Sequence, residues 1–268
     1  MKWLWAFLII LISSLNSCTK PNTRPNIDIY GHAGASLHSD RTIYPANSLE
    51  SIQYALNVLD ADGVEVDIQM TKDSVLVLYH NPYIGQTSNI NNCMSFYDYN
   101  EIKNLKIDYT TYKIAKLEEV LKIVQNSNKQ LFLDIKFYDF CKDNIIELST
   151  FQYALNKALN QIDTSFVKTK IMIGLNNYTL LSQIDFPNKC YEATDVESAI
   201  AIANNYNFNA LLFFDDIMSE QNAQLLNNSN LFWGIIGVKS KWEIDRVVNY
   251  HPKFIISDNI ARTKKVTN

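Results

Sequence analysis

Short apolar runs alternate with amphipathic segments along most of this chain. The runs are rich in β-branched and aromatic residues, which predicts strands. They cover residues 27–30, 63–69, 75–79, 130–136, 170–175, 210–214, 232–238 and 254–257, with a weaker run near 190–193. Between them, apolar residues recur at spacings of three and four, which predicts helices with one buried face. These segments are 48–60, 117–124, 199–203 and, more loosely, 242–250.

This alternation predicts an α/β fold with parallel strands covered by helices. About eight such units fit a (β/α)₈ TIM barrel, which typically takes ~250 residues. An open doubly wound sheet usually carries a glycine-rich turn after its first strand. Here that turn offers Gly31 and Gly34 with His32 between them, so the barrel is preferred. Active residues of such a barrel are expected at the carboxyl ends of its strands.

Two acidic residues share one face of the second run. Glu65 and Asp67 are two residues apart in Val-Glu-Val-Asp-Ile, so both point to the same side of the strand. The apolar neighbours face the helices, which places the carboxylates inside the barrel. Two buried carboxylates repel each other and need a cation, supplied by a metal ion or by a salt bridge to a lysine. Oxygen ligands favour Ca²⁺ or Mg²⁺ over zinc.

Further titratable residues stand at the ends of other runs. Asp134 and Lys136 share parity in Leu-Phe-Leu-Asp-Ile-Lys and are expected to reach the same interior. Asp134 is a candidate third metal ligand. Lys136 offers a point charge for a phosphate, or an ion pair with Asp134 or Glu65. The imidazole side chain of histidine exchanges protons readily near neutral pH, so His32 and His80 are candidates for an acid/base pair. A cation beside two histidines is the chemistry of phosphodiester cleavage.

Composition excludes one class of partner. The chain has 268 residues, 47% of them hydrophobic and 19% charged, which is ordinary for a globular protein. The formal net charge is −4 and no basic cluster stands out. Nucleic acid is therefore not an expected partner, because binding the phosphate backbone needs concentrated Lys and Arg.

The first residues have the pattern of a targeting signal. After Lys2, the apolar run 3–15 is shorter than the ~20 residues needed to span a bilayer. The sequence Leu15-Asn16-Ser17-Cys18 resembles a bacterial lipoprotein cleavage box, in which Cys18 becomes the lipidated first residue. An ordinary secretory signal and an uncleaved anchor are the alternatives.

The expected organisation follows from that signal. It comprises a signal peptide at 1–18, a flexible tether at 19–26 and a single barrel domain at 27–268. We expect a lipid-anchored protein of the bacterial cell envelope, facing the periplasm or the cell surface, with the membrane as a partner through its anchor.

Several segments together resemble the glycerophosphodiester phosphodiesterases, a family of phospholipase C-like TIM barrels. The segments that carry the resemblance are His32-Ala33-Gly34, Pro45-Ala46-Asn47-Ser48, residues 61–73, His80-Asn81-Pro82, Leu117-Glu118-Glu119-Val120-Leu121, Leu133-Asp134-Ile135-Lys136 and Ile255-Ile256-Ser257-Asp258-Asn259. The resemblance spans about residues 27–260 and is most specific between 61 and 82.

The resemblance implies hydrolysis of glycerophosphodiesters to glycerol phosphate and an alcohol. It implies that His32 and His80 are the catalytic acid/base pair. Glu65, Asp67 and Asp134 would hold Ca²⁺ or Mg²⁺, and Lys136 would bind the substrate phosphate.

Two positions depart from the family pattern. Ala33 replaces an arginine, which removes a bidentate phosphate clamp. Ala46 replaces a glutamate, which removes a carboxylate near the metal. These changes leave two alternatives open. One is a catalytically impaired surface lipoprotein that binds phosphodiesters or polysaccharide, and the other is a phospholipase of the sphingomyelinase D type.

Overall fold

Parallel strands close into a barrel in this protein. A computed structural model describes residues 26–38, 40–84, 92–105, 111–137 and 147–267. Eight of the described strands form the barrel in the order in which they occur along the chain, and the first of them pairs with both the second and the last to close it. Their bounds are β1 Asp28–Gly31, β2 Gly63–Met70, β6 Gln130–Ile135, β7 Ile171–Leu175, β8 Lys189–Glu192, β9 Ala210–Phe214, β10 Phe232–Val238 and β11 Phe254–Ser257. The predicted (β/α)₈ barrel is confirmed.

One predicted strand lies outside this barrel. The run 75–79 forms β3 (Leu76–Leu78), which pairs antiparallel with the end of β2. A parallel crossover needs about a dozen residues, whereas only five separate β2 from β3. The weaker run near 190–193 supplies the missing barrel strand as β8. A separate antiparallel pair consists of β4 (Tyr83–Ile84) and β5 (Asn92–Cys93).

Helices pack around the barrel. Their bounds are α1 Leu49–Asn57, α2 Tyr99–Ile102, α3 Leu117–Ser127, α4 Leu148–Leu159, α5 Thr164–Lys170, α6 Tyr178–Gln183, α7 Val196–Tyr206, α8 Glu220–Asn228, α9 Lys241–Val248 and α10 Ile260–Thr267. Ser48 caps α1 by accepting a hydrogen bond from a backbone N–H of the first turn. The loose pattern over 242–250 rests on Trp242, Val247 and Tyr250. It locates α9, in which Val247 is buried as expected, whereas Trp242 is 69% exposed and Ile244 is buried in its place.

Strand alternation separates two apolar layers. Val64, Val66 and Ile68 of β2 belong to the large cluster between the barrel and the helices. A smaller cluster fills the barrel and contains Tyr30, Phe132, Cys190, Ala210, Leu212, Ile236, Phe254 and Ile256. Glu65 and Asp67 alternate with the outer residues and so point inward, as predicted.

The expected signal peptide and all but the last residue of the tether lie outside the described residues. Within the described ranges, no helix combines the length and apolar character needed to cross a membrane.

Candidate active site

His32 stands directly after β1, at the carboxyl end of the barrel. Its Nδ1 lies 3.1 Å from an Asp258 carboxylate oxygen, while the other oxygen accepts from Ser36 Oγ and the Leu37 N–H at 3.0 and 2.8 Å. Burial raises the pKa of Asp258, but the contacts with His32, Leu37 and Ser36 lower it overall. An ionised carboxylate only accepts hydrogen bonds, so Nδ1 is the donor, and in the neutral imidazole Nε2 is then the acceptor. Nε2 points toward Glu65, 4.0 Å from Oε2.

The loop after β1 orients both carboxylates of β2. The Ala33 N–H donates to Glu65 Oε2 at 2.7 Å. Asn47 Nδ2 donates to Asp67 Oδ2 at 2.7 Å, and the Asp67 N–H donates back to Asn47 Oδ1 at 2.9 Å. Ala33 and Asn47 have φ of 49° and 62°, and the Asn47 N–H donates to the Ala33 carbonyl. A left-handed alanine costs roughly 1–2 kcal/mol, so its place beside Glu65 fits the rule that such strain collects at functional sites.

A third carboxylate completes the group. Asp134 of β6 is in register with Asp67 of β2. One ligand oxygen from each of Glu65, Asp67 and Asp134 lies within 4.8 Å of the others. Lys136 Nζ lies 2.5 Å from Asp134 and 3.1 Å from Asp67, which is the ion pair considered for this lysine. Burial alone would lower the pKa of Lys136, but Asp134 and Asp67 raise it far above its ordinary value, so the lysine is charged.

The residues fit a divalent cation. Burial first, then Asp67 and Asp134, raise the pKa of Glu65 well above its ordinary value. Glu65 Oε1 is buried and has no hydrogen-bond partner in the described parts of the chain. Lys136 brings one positive charge to three carboxylates and pairs with two of them. An oxygen-only donor set with one oxygen unpartnered suits a hard ion such as Ca²⁺ or Mg²⁺.

His80 approaches the carboxylates from the segment after β3. Gln69 of β2 donates its two amide hydrogens to the backbone carbonyls of the residues that flank His80, Tyr79 at 2.7 Å and Asn81 at 2.8 Å. Burial raises the pKa of Asp134, while Lys136 and, to a smaller extent, His80 lower it, which places His80 near this carboxylate. All six predicted site residues therefore lie at the carboxyl end of the barrel.

Sequence reasoning missed Glu192. It ends β8 and shares parity with Cys190, which lies inside the barrel. Burial and then Asp134 raise its pKa well above the ordinary value. Gly174 of β7 makes room for it, because a Cβ there would lie 2.5 Å from Glu192 Oε1. The available signal was parity within a four-residue strand, which is too short to show alternation clearly.

Asn47 and Gln69 were also missed as site residues. Both are buried amides that make two hydrogen bonds each to the site. Gln69 continues the spacing of Glu65 and Asp67 along the inner face of β2, and this spacing could have identified it.

We call the carboxyl end of the barrel its mouth. The fold and this site define a class of protein, namely TIM barrels with a cluster of carboxylates and nearby histidines suited to metal-assisted chemistry. Comparison of sequences is more specific. The profile of the glycerophosphoryl diester phosphodiesterase family matches residues 39–228. The chain belongs to this family.

Individual relatives cover shorter segments. A glycerophosphodiester phosphodiesterase of Bacillus altitudinis is 33% identical over 100 residues, which are 35% of this chain and 40% of the relative. One from Caldanaerobacter subterraneus is 27% identical over 142 residues, 51% of this chain and 55% of the relative. The chain thus spans about half the length of the curated relatives it matches.

Solved structures show the same fold. A glycerophosphodiester phosphodiesterase of Galdieria sulphuraria, assigned as such without proof of activity, has a TM-score of 0.78 at 15% identity, covering 92% of this chain and all of that chain. An Oleispira antarctica phosphodiesterase in complex with the product sn-glycerol-3-phosphate has a TM-score of 0.76 at 16% identity, covering 89% and 96%. At these identities the likeness concerns the fold alone.

Proposed function

We propose that this protein hydrolyses glycerophosphodiesters to glycerol phosphate and an alcohol, with a divalent cation, Ca²⁺ or Mg²⁺. The observation that carries this proposal is the buried group formed by Glu65, Asp67 and Asp134, whose ligand oxygens lie within 4.8 Å of one another beside His32. Family membership supports it, as does the product named in the Oleispira antarctica structure.

Glu65, Asp67 and Asp134 would hold the cation. When bound, the ion supplies Lewis-acid stabilisation of the negative charge that develops on the phosphate. Asn47 and the Ala33 N–H keep Asp67 and Glu65 in place for it. Lys136 pairs with Asp67 and Asp134, which are two of these ligands. With their charge shared with a cation, Lys136 would be able to bind a phosphate oxygen.

His32 and His80 act as the acid/base pair. Asp258 holds the Nδ1–H of His32, so Nε2 is the proton-accepting or proton-donating atom. The 2-hydroxyl of the glycerol attacks phosphorus after one histidine takes its proton, and the other histidine protonates the leaving alcohol oxygen. Water then opens the cyclic phosphate, so no protein nucleophile is required.

The departure at position 33 changes the phosphate contacts. The family's arginine side chain is absent, and Ala33 contributes its backbone N–H to Glu65 instead. In this proposal the phosphate contact of the missing guanidinium falls to Lys136, a point charge without bidentate geometry.

The proposed location is the bacterial cell envelope, with residues 1–18 as signal peptide, Cys18 lipidated, 19–26 as tether and 27–268 as one barrel domain. Cys93 is disulfide-bonded, which fits an oxidising compartment. Labelling cells with a radioactive fatty acid tests this. Wild-type protein should take up the label and Cys18→Ser should not. Equal labelling of both would contradict the anchor.

The function is tested with the purified chain lacking residues 1–18. Glycerophosphocholine, glycerophosphoethanolamine and glycerophosphoglycerol are incubated with Ca²⁺, Mg²⁺ or a chelator. We expect release of glycerol phosphate that depends on the cation and is lost in His32→Asn and His80→Ala. If the folded protein released no glycerol phosphate from any diester with either cation, the proposal would be wrong.

A further inference from the structure

The mouth of the barrel has two unlike halves. Strands β1, β2, β6, β8 and β11 bring charged residues to it, namely His32, Glu65, Asp67, Asp134, Lys136, Glu192 and Asp258. The charged residues directly after β9 and β10 are Asp215, which pairs with Arg246 of α9, and Lys239. On the strands themselves, the inward positions nearest the mouth are Leu212, Phe214 and Ile236. We call these three residues the apolar half of the mouth. A diester that occupies the site therefore meets charge on one side and hydrocarbon on the other.

Phe214 is the outermost residue of the apolar half. It ends β9 in extended conformation and shares parity with Ala210 and Leu212, which lie in the cluster inside the barrel. Its side chain therefore points to the inner face of the barrel at the level of the mouth. It pairs in register with Ile236 of β10. A Cβ on Gly237 would lie 3.6 Å from its ring, so the ring also covers the bulge of β10.

The exposure of Phe214 differs from that of its neighbours. Leu212 and Ile236 are only 1% and 6% exposed, whereas Phe214 is 55% exposed. The Phe214 side chain thus points to the inside of the barrel mouth, but the residues around it leave about half of its surface open to solvent. Glu192 of β8 pairs in register with Leu212, so the apolar half begins one strand, about 4.8 Å, from the charged half.

We propose that the apolar half binds a hydrocarbon group carried by one ester arm of the substrate, with Phe214 as the specificity-determining residue. This inference rests on the proposed function, since the charged half must hold the phosphate. A polar arm placed against Phe214 would give up hydration without gaining a hydrogen bond. A hydrocarbon arm gains by burying both surfaces. The hydrocarbon could be the esterified alcohol or an acyl chain on the glycerol.

Three substrates distinguish these cases. Glycerophosphohexanol has an apolar alcohol, 1-lauroyl-lysophosphatidylethanolamine has an acyl chain on the glycerol, and glycerophosphoethanolamine is polar in both arms. The lauroyl substrate is used below its micelle concentration. Values of kcat/KM are compared for wild type, Phe214→Ala, Phe214→Leu and Tyr153→Ala. Tyr153 is the matched control, a 69% exposed aromatic residue of α4.

We expect wild type to favour at least one apolar substrate over glycerophosphoethanolamine. Phe214→Ala should lower kcat/KM for it about tenfold, in the range of one hydrophobic contact. Phe214→Leu should retain most of the preference, and Tyr153→Ala all of it. Turnover with the same preference in wild type and Phe214→Ala would overturn this inference alone. Absence of turnover of all three diesters would overturn the proposed function as well.

Discussion

The two ends of the barrel both carry polar residues, but they treat them differently. At the amino end, the Tyr30 hydroxyl donates to Gln130 Oε1 at 2.5 Å, and Gln130 Nε2 donates to Asp28 at 3.0 Å. Donors meet acceptors there, and burial raises the pKa of Tyr30 so that it remains neutral. At the mouth, Glu65 and Glu192 each keep a buried carboxyl oxygen with no partner in the described ranges.

This difference indicates that the amino end contributes to stability and the mouth to function. A completed hydrogen-bond network needs nothing further, whereas like charges gathered in a buried site cost free energy unless another group compensates them. Strongly shifted carboxyl pKa values in a cleft mark a functional site, and in TIM barrels function lies at the carboxyl end of the strands. Changes at the mouth should therefore alter activity, and changes at the amino end should alter stability.

The largest effect is expected from the histidines. His80→Ala and His32→Asn each remove one partner of the acid/base pair, and loss of such a group lowers kcat by roughly 10²–10⁴-fold. The thermal midpoint of unfolding should change little for His80→Ala. Steady-state kinetics and thermal unfolding on the same preparations check this. A His80→Ala variant with more than half of the wild-type kcat would contradict the assigned role.

The mouth should also set how stability varies with pH when no cation is added. The pKa of Glu65 is raised above its ordinary value near 4.5 in the folded state, mainly by burial. The folded chain then binds more protons than the unfolded chain in the window above pH 4.5, so stability falls as pH rises through it. Urea unfolding at several pH values in chelator measures this, and Glu65→Gln should weaken the dependence. Stability that increases across this window would contradict a raised pKa of Glu65 in the folded state.

A smaller effect is expected from Gln69, which acts through His80. Gln69→Met keeps the length of the side chain but removes both hydrogen bonds to the segment that carries His80. We expect kcat to fall about tenfold, equivalent to ~1.4 kcal/mol, with KM and cation affinity unchanged. The exposed Gln183→Met on α6 is the matched control. Equal losses in kcat and cation affinity would instead indicate damage to β2 as a whole.

The smallest effect on activity is expected at the amino end. Gln130→Met leaves the buried Tyr30 hydroxyl and Asp28 without their shared partner. Leaving a buried hydroxyl without its partner should cost about 1–3 kcal/mol of unfolding free energy, measured by urea titration, while kcat stays within twofold of wild type. A large fall in kcat with unchanged stability would remove the distinction between the two ends.

Much of the fold was predictable because its signals are local. Apolar runs located the barrel strands, helical spacing located α1, α3, α7 and α9, and alternation placed Glu65 and Asp67 inside the barrel. The direction of β3 was not predictable from its own residues, since it depends on the short connection to β2. Glu192 was missed because its burial depends on Gly174, a residue of the neighbouring strand.

The positioning groups escaped prediction for the same physical reason. Gln69 matters through two carbonyls at Tyr79 and Asn81, ten and twelve residues further along the chain. Ala33 acts through its backbone N–H in a left-handed conformation, and an alanine side chain does not predict this conformation. Such roles emerge only when tertiary structure brings the segments together.

Cation binding tests the central claim most directly. Calorimetric titration of the metal-free protein with Mg²⁺ and with Ca²⁺ is compared between wild type, Glu65→Gln at the mouth and Gln130→Met at the amino end. The account predicts one ion per chain for wild type and Gln130→Met, and affinity at least about tenfold weaker for Glu65→Gln. If wild type bound neither ion, or if Glu65→Gln bound as tightly as wild type, the mouth would not be a cation site.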